Sequence, residues 1–309
     1  MKHRRINSML GEAYSWIAVA VMVAVCLLIL LTVIIAGKDQ ISWRFLTTIP
    51  SASAADMGSG GISTPLIGTV LLTLIGIIIA IPLSLATSVY TSFYRTSGAA
   101  ARGIGLAIDI LSGVPTIVIA LFALAIFTNP QLVFLSTPVQ NGGGAIIERA
   151  YGRSFLVAGI TMAIMILPAV VKSMTEALRA VPRSYIDGAM ALGADKWRMV
   201  TKIAVPAASR GIVTGIVLGM GRIMGDTAIV WLALGGTLRM TGQQPWYFNM
   251  ADTLRNTGST LTSYIYYASP AGEGQNNDVA FAASLVLIVI ILILNAITAL
   301  LGGLGSSRR

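Results

Sequence analysis

The sequence predicts an all-α integral membrane protein with six transmembrane helices, and three observations carry that prediction. Only 11% of the 309 residues are charged and 55% are hydrophobic, whereas soluble domains carry about 25% charged residues. The charges fall between apolar runs of roughly 20 residues or more, each long enough to cross a ~30 Å hydrocarbon layer as helix. The runs are continuous, unlike the short alternating segments of a transmembrane barrel. Mean hydropathy is accordingly +0.81.

The first span covers about residues 16–36. Basic residues precede it, but its apolar run exceeds the 7–15 residues of a signal peptide core, so an uncleaved span is expected. The second, about 62–94, is too long for one straight crossing, which predicts tilt or a kink at Pro82. The third, about 103–128, contains Asp109. The fourth, fifth and sixth cover about 154–171, 211–234 and 279–301. Polar loops rich in Gly, Ser, Pro and Asn separate them at about 37–61, 129–153 and 235–278. The last is long enough to hold structure of its own. Its aromatics Trp246, Tyr247, Phe248, Tyr264, Tyr266 and Tyr267 suit an interfacial belt or an external partner.

Lysine and arginine set the orientation. With a cytosolic N-terminus, 14 of the 21 fall on the cytosolic side and six on the other, with Arg222 inside a span. The bias places both termini and the segment from Glu176 to Pro206 in the cytosol. In that setting the net charge of +9 reports topology and not a nucleic-acid partner. The lone Cys26 permits no internal disulfide, and the lone His3 sits in the basic N-terminal tail, so a histidine metal site is not expected.

One segment on the cytosolic side is polar, from Glu176 to Pro206. Helix is expected on both sides of Gly193, which suits a left-handed turn. Asp195 is placed to cap the second helix, expected to run through Trp197 and Ile203 and to stop at Pro206. Periodicity alone fits either a surface-lying amphipathic loop or a handle for a soluble partner. The residues say more. Asp187-Gly188-Ala189, three residues, Gly193, nine residues, then Ile203-Ala204-Val205-Pro206 resembles the E-A-A-x3-G-x9-I-x-L-P loop of ABC importer permeases. The spacing matches, while Asp187, Gly188 and Val205 depart from the pattern. The resemblance implies a type I importer permease fold, with residues 1–61 forming the first helix and an external loop. Residues 62–309 would form the permease core, with a coupling loop at about 172–210. It also implies that Glu176, Asp187, Gly188, Ala189, Gly193, Ile203 and Pro206 serve coupling to an ATPase subunit. The chain holds no G-x-x-x-x-G-K-[ST], so ATP and Mg would be bound by that partner, with no cofactor here.

The fifth span contains Arg222 and Asp226, expected one turn apart on one helix face near the membrane midplane. Each charge at a helix centre costs on the order of 2.5–3.5 kcal/mol, so each should face protein or a water-filled cavity. A self-neutralising ion pair is one reading. The other is an anion site, because a guanidinium fork matches oxyanions in a bidentate way. A neighbouring carboxylate would accept a hydrogen bond from hydrogen phosphate, which sulfate has no proton to donate. Gly211, Gly215 and Gly219, and Gly221 and Gly225, recur every four residues, a small-residue ridge for helix packing.

The run from Gly211 through Arg222, Asp226 and Thr227 to Ala228 resembles G-I-x-T-G-x-x-L-x-x-[AG]-R-x-x-G-E-T-A of phosphate importer permeases, with Asp226 in place of the glutamate. Asp109-Ile110-Leu111-Ser112-Gly113-Val114-Pro115-Thr116 is similar to the same family's D-x-L-x-[GA]-x-P-[ST]. The resemblance covers about residues 61–301 and is nearest to PstA-type subunits. It implies that Arg222, Asp226 and Thr227 line a phosphate path. The implied partners are a PstC-like second permease, a PstB-like ATPase dimer, an external PstS-like phosphate-binding protein, and membrane lipid. A permease for molybdate, sulfate or phosphonate is the alternative. An intramembrane enzyme would need H-E-x-x-H, G-x-S-x-G or paired membrane aspartates, and the sequence has none of them, so no catalytic residue is assigned.

Overall fold

The computed structural model describes residues 2–50, 60–94, 98–139, 149–236, 250–272, 274 and 276–306. Helix α1 (Lys2–Gly37) leads through a short turn to α2 (Trp43–Thr47), capped by Ser42. Then come α3 (Ser63–Val89), α4 (Ala99–Gly113) and α5 (Thr116–Phe127). A two-residue hairpin pairs Pro138 with Ala150 and Val139 with Arg149. Next is α6 (Phe155–Arg179), followed by α7 (Arg183–Ala191), α8 (Lys196–Met199), α9 (Val205–Ala207) and α10 (Ser209–Gly225). The described part closes with α11 (Met250–Arg255), α12 (Leu261–Ala268) and α13 (Asn277–Ser306). Trp246, Tyr247 and Phe248 lie outside the described residues.

Helix α6 is the centre of the molecule. It packs along α3 on one side and α10 on another, and its Phe155, Met162, Ile166 and Met174 are fully buried. Small residues make the approach close. A side chain at Gly76 would press on Ile223, and one at Gly219 would meet Val170 and Ile166. Across the α3–α6 seam, the Ser88 hydroxyl donates to the Val171 carbonyl at 3.1 Å. With both flanks of Pro82 held by this seam, α3 continues through the proline without a break.

Among the described residues, four helices are long and apolar enough to cross a membrane, and two further spans exist if each of two bent pairs is one crossing. Counted so, the six expected spans are present, two of them bent. The expected third span is α4 and α5, bent by 103° at Val114-Pro115. Val114 is extended, with ψ 127°, as a residue before proline prefers. The second bent pair turns by 69° at Ala208, between the segment ending in α9 and α10.

Relative sidedness follows from contacts. Gly37, at the end of α1, lies against Phe281 and Ala282 near the start of α13, so the two helices run antiparallel. The later part of α13 reaches α10, where Thr298 donates to Met220 Sδ at 3.5 Å, and α13 also touches α9. Both ends of the chain therefore lie on the side that carries α7–α9.

The candidate coupling arm and substrate path

The arm begins where α6 ends at Arg179. Pro182 (φ −57°, ψ 132°) starts α7, and Tyr185 N donates to its carbonyl at 3.1 Å. The helix stops through a pair of closing bonds: Gly193 N to Met190 O at 3.0 Å and Ala194 N to Ala189 O at 3.1 Å. This Schellman closure requires the left-handed φ of +81° at Gly193. Asp195 Oδ1 then accepts from Arg198 N at 2.7 Å and caps α8. Both features were expected from the sequence. The helix ends one residue past the expected Pro206, at Ala207, before the 69° turn at Ala208. A π-turn over Val200–Ala204 carries the chain into α9, with the proline in its first turn, where no N–H is needed.

The arm has a small core. Ala189, Met199, Val200 and Ala204 are buried, with Ile186, Ile203 and Val205 packed against them, and Val89 and Phe93 enter from the end of α3. Ala189, read from the sequence as a docking residue, thus points inward, and Ile203 is half-buried beside it. Pro206 is also half-buried, while Glu176, Asp187, Gly188 and Gly193 are exposed. The outer surface is carried by Trp197 and by residues the sequence reading did not single out: Tyr185, Met190 and above all Leu192, 91% exposed next to the glycine turn. Their signal was available, since large apolar residues on a short polar helix–turn–helix need a partner.

On the path side, α10 presents two faces. Gly211, Gly215 and Gly219 face α6, meeting Ala177, Ser173 and Val170. Side chains added at Gly221 or Gly225 would meet nothing within 4 Å. These two glycines therefore do not share the packing role expected of them. With Thr214, Leu218 and Arg222 they form an open stripe. Arg222 is exposed on it, about 20 Å along the helix from Ser209 at ~1.5 Å per residue.

The expected helical pairing of Arg222 with Asp226 is corrected by the structure. The helix ends at Gly225, and Asp226 is extended (φ −79°, ψ 136°). Its Oδ1 accepts from Ile229 N at 2.8 Å and starts the next helical turn, while Thr227 O accepts from Trp231 N at 3.0 Å. Among the described residues, no ion pair within 4 Å joins Arg222 to a carboxylate. A π-turn over Val230–Leu234 completes the segment, which ends at Gly235 with φ +99°. The break is held from the loop beyond: Thr262 Oγ1 donates to Asp226 O at 3.2 Å, and Leu261 N donates to Thr69 Oγ1 at 2.8 Å. That loop presses so closely on α3 that no side chain fits at Gly68, which faces the Ser259 carbonyl.

A bundle of apolar helices around a central one, a helix–glycine–helix arm on the side of both termini, and an open stripe that carries Arg222 define a membrane permease subunit. Residues 73–304 match the family described as binding-protein-dependent transport system inner membrane component. The chain belongs to that family and is a multi-pass inner-membrane permease subunit of an ABC transporter. It is similar to the probable ABC transporter permease YqgI of Bacillus subtilis, 26% identical over 97% of this chain and 96% of that one. The phosphate transport system permease PstA 1 of Mycobacterium tuberculosis is 30% identical over 81% of this chain and 73% of its own. PstC 1 of Mycobacterium bovis is 28% identical over 81% and 74%. In fold it resembles a chain of a bacterial alginate ABC transporter, with TM-score 0.55 and 16% identity over 92% of each. The fold is that of type I ABC importer permeases.

Proposed function

We propose that this chain forms half of the path by which inorganic phosphate enters the cell. A second, PstC-like permease would supply the other half, a PstB-like ATPase dimer the energy, and a PstS-like external binding protein the cargo. The observation that carries the reading is Arg222, a cation placed deep along α10 on its open stripe and beside the break at Asp226-Thr227. A guanidinium held there offers two parallel N–H donors to an oxyanion. Asp226 commits Oδ1 to Ile229 N, and its other oxygen remains to accept the proton of hydrogen phosphate. The similarity to phosphate permeases supports this cargo.

The arm is the coupling element. Leu192, Tyr185, Met190 and Trp197 form its contact surface toward the ATPase, and Ala189 and Ile203 hold the surface from within. The chain itself performs no covalent chemistry. Hydrolysis in the partner would move α7–α9, and through Val89, Phe93 and α10 the movement would reach Arg222.

The decisive experiment purifies the chain with the subunits encoded beside it and measures ATP hydrolysis. A binding protein loaded with phosphate should stimulate hydrolysis, and the sulfate- or molybdate-loaded form should not. Stimulation by one of those ions and not by phosphate would move the assignment to the other oxyanion.

A further inference from the structure

Away from the arm's contact surface and the α10 stripe lies a charged cleft of about 350 Å³ between α4 and α6. Lys172, Glu176 and Arg179 stand on one face of α6, and Arg102, Gly105 and Asp109 on the facing side of α4. Lys172 Nζ holds Asp109 Oδ1 at 2.8 Å and joins the two walls. That pair neutralises one carboxylate. Arg102 and Arg179 make no ion pair within 4 Å among the described residues, so the cleft keeps a positive balance against Glu176 alone. Its floor is open, because a side chain at Gly105 would meet nothing within 4 Å.

Its level in the membrane is set by α6. From Phe155 to Lys172 the helix rises about 26 Å at ~1.5 Å per residue, close to the thickness of the hydrocarbon layer. Lys172 is the first charge after that apolar run, so the cleft opens at the headgroup level. Helix α4 turns by 103° from α5. Ile108 and Val171 supply the cleft's apolar lining, and Leu106, next to the lining Gly105, is 63% exposed. Cations at headgroup depth, an open floor and an apolar border form a site for a phosphate ester carrying acyl chains. Basic pockets between helices on the cytoplasmic side bind acidic headgroups in this way.

We infer that the α4–α6 cleft binds the headgroup of an acidic phospholipid of the cytosolic leaflet. The phosphate sits between Arg102 and Arg179, and the chains leave along Ile108 and Leu106. The site abuts the root of the coupling arm, so the bound lipid fixes α4 against α6 where the arm is anchored. The inference uses the cytosolic placement of the arm but not the identity of the transported ion.

Native mass spectrometry of the delipidated assembly tests it, with phosphatidylglycerol, phosphatidylcholine and inorganic phosphate offered separately. Phosphatidylglycerol should be retained about tenfold or more over phosphatidylcholine, and Arg102→Gln with Arg179→Gln should remove that preference. Gly105→Phe should do the same by filling the floor without changing charge. Equal retention of both lipids, or retention of inorganic phosphate in place of the lipid, overturns the inference. So does a Gly105→Phe assembly that keeps the wild-type preference. The charge variant and Gly105→Phe probe the cleft independently, so if one fails to assemble the other decides. Because no transport is measured, failure here is separate from failure of the phosphate assignment.

Discussion

Arg222 is exposed on α10 with no carboxylate paired to it within 4 Å among the described residues. Its stripe neighbours Leu218, Gly221 and Gly225 offer no anion, and Asp226 is turned to cap the next helical segment. In the proposed role the transported oxyanion is the missing counter-charge. Arg222→Gln should then lower phosphate uptake into proteoliposomes by about a hundredfold, the scale of losing one charge-assisted bidentate contact. Arg222→Lys keeps the charge without the fork and should lose about tenfold. Wild-type uptake in Arg222→Gln would remove the arginine from the path. Asp226→Asn separates two functions of one side chain. The amide oxygen still accepts from Ile229 N, so the fold should stay intact, whereas the anionic acceptor for a phosphate proton is lost. Phosphate uptake should fall while any residual sulfate uptake does not, and a parallel fall in both would assign Asp226 to structure alone. The arginine was legible from the sequence, since a cation inside an apolar run stands out. The cap was written there too, as glycine followed by Asp-Thr, a stop–start signal. It was overridden because the apolar run continues unbroken on both sides, and hydropathy carries no information about where a helix is interrupted.

At the scale of elements, the arm shows which features are local and which are not. The glycine turn and the Asp195 cap depend on residues within five positions, and both were readable in the sequence. The packing of Val89 and Phe93 into the arm's core joins residues about a hundred positions apart, which no local spacing encodes. The prolines teach the same lesson. Pro115 marks a sharp bend, while Pro82 lies within a helix held along its length by α6, and Pro206 falls in a first turn where it costs little. The consequences of the arm's geometry are testable. Gly193→Val forces a β-branched side chain into φ +81°, a strain of about 1–2 kcal/mol. It should loosen the α7–α8 turn and reduce coupled ATP hydrolysis while the helical bundle still assembles in the membrane. Leu192→Asp leaves the backbone untouched, because the side chain is 91% exposed. It should abolish co-purification with the ATPase subunit without lowering the melting temperature of the isolated permease. Retained co-purification would remove Leu192 from the docking surface.

For the whole molecule, the distribution of exposed apolar surface indicates a component and not a finished machine. The described side chains of α1 are almost all exposed, and its main contacts are with α13 and the turn that follows it. Lipid or a second permease must cover the rest, as it must cover the open stripe of α10. The antiparallel pairing of α1 with α13 puts both chain ends on the arm's side, and the excess of Lys and Arg assigns that side to the cytosol. The lone Cys26 makes that orientation measurable. In a Cys26→Ser background, a membrane-impermeant maleimide should label Asp39→Cys, in the exposed turn after α1, on intact cells. Arg183→Cys, in the exposed first turn of α7, should be labelled only after the membrane is opened. The opposite pattern would invert the molecule and place the arm where no ATPase subunit can reach it. Labelling of both positions on intact cells would mean that the two turns share one face, in conflict with α1 as a complete crossing.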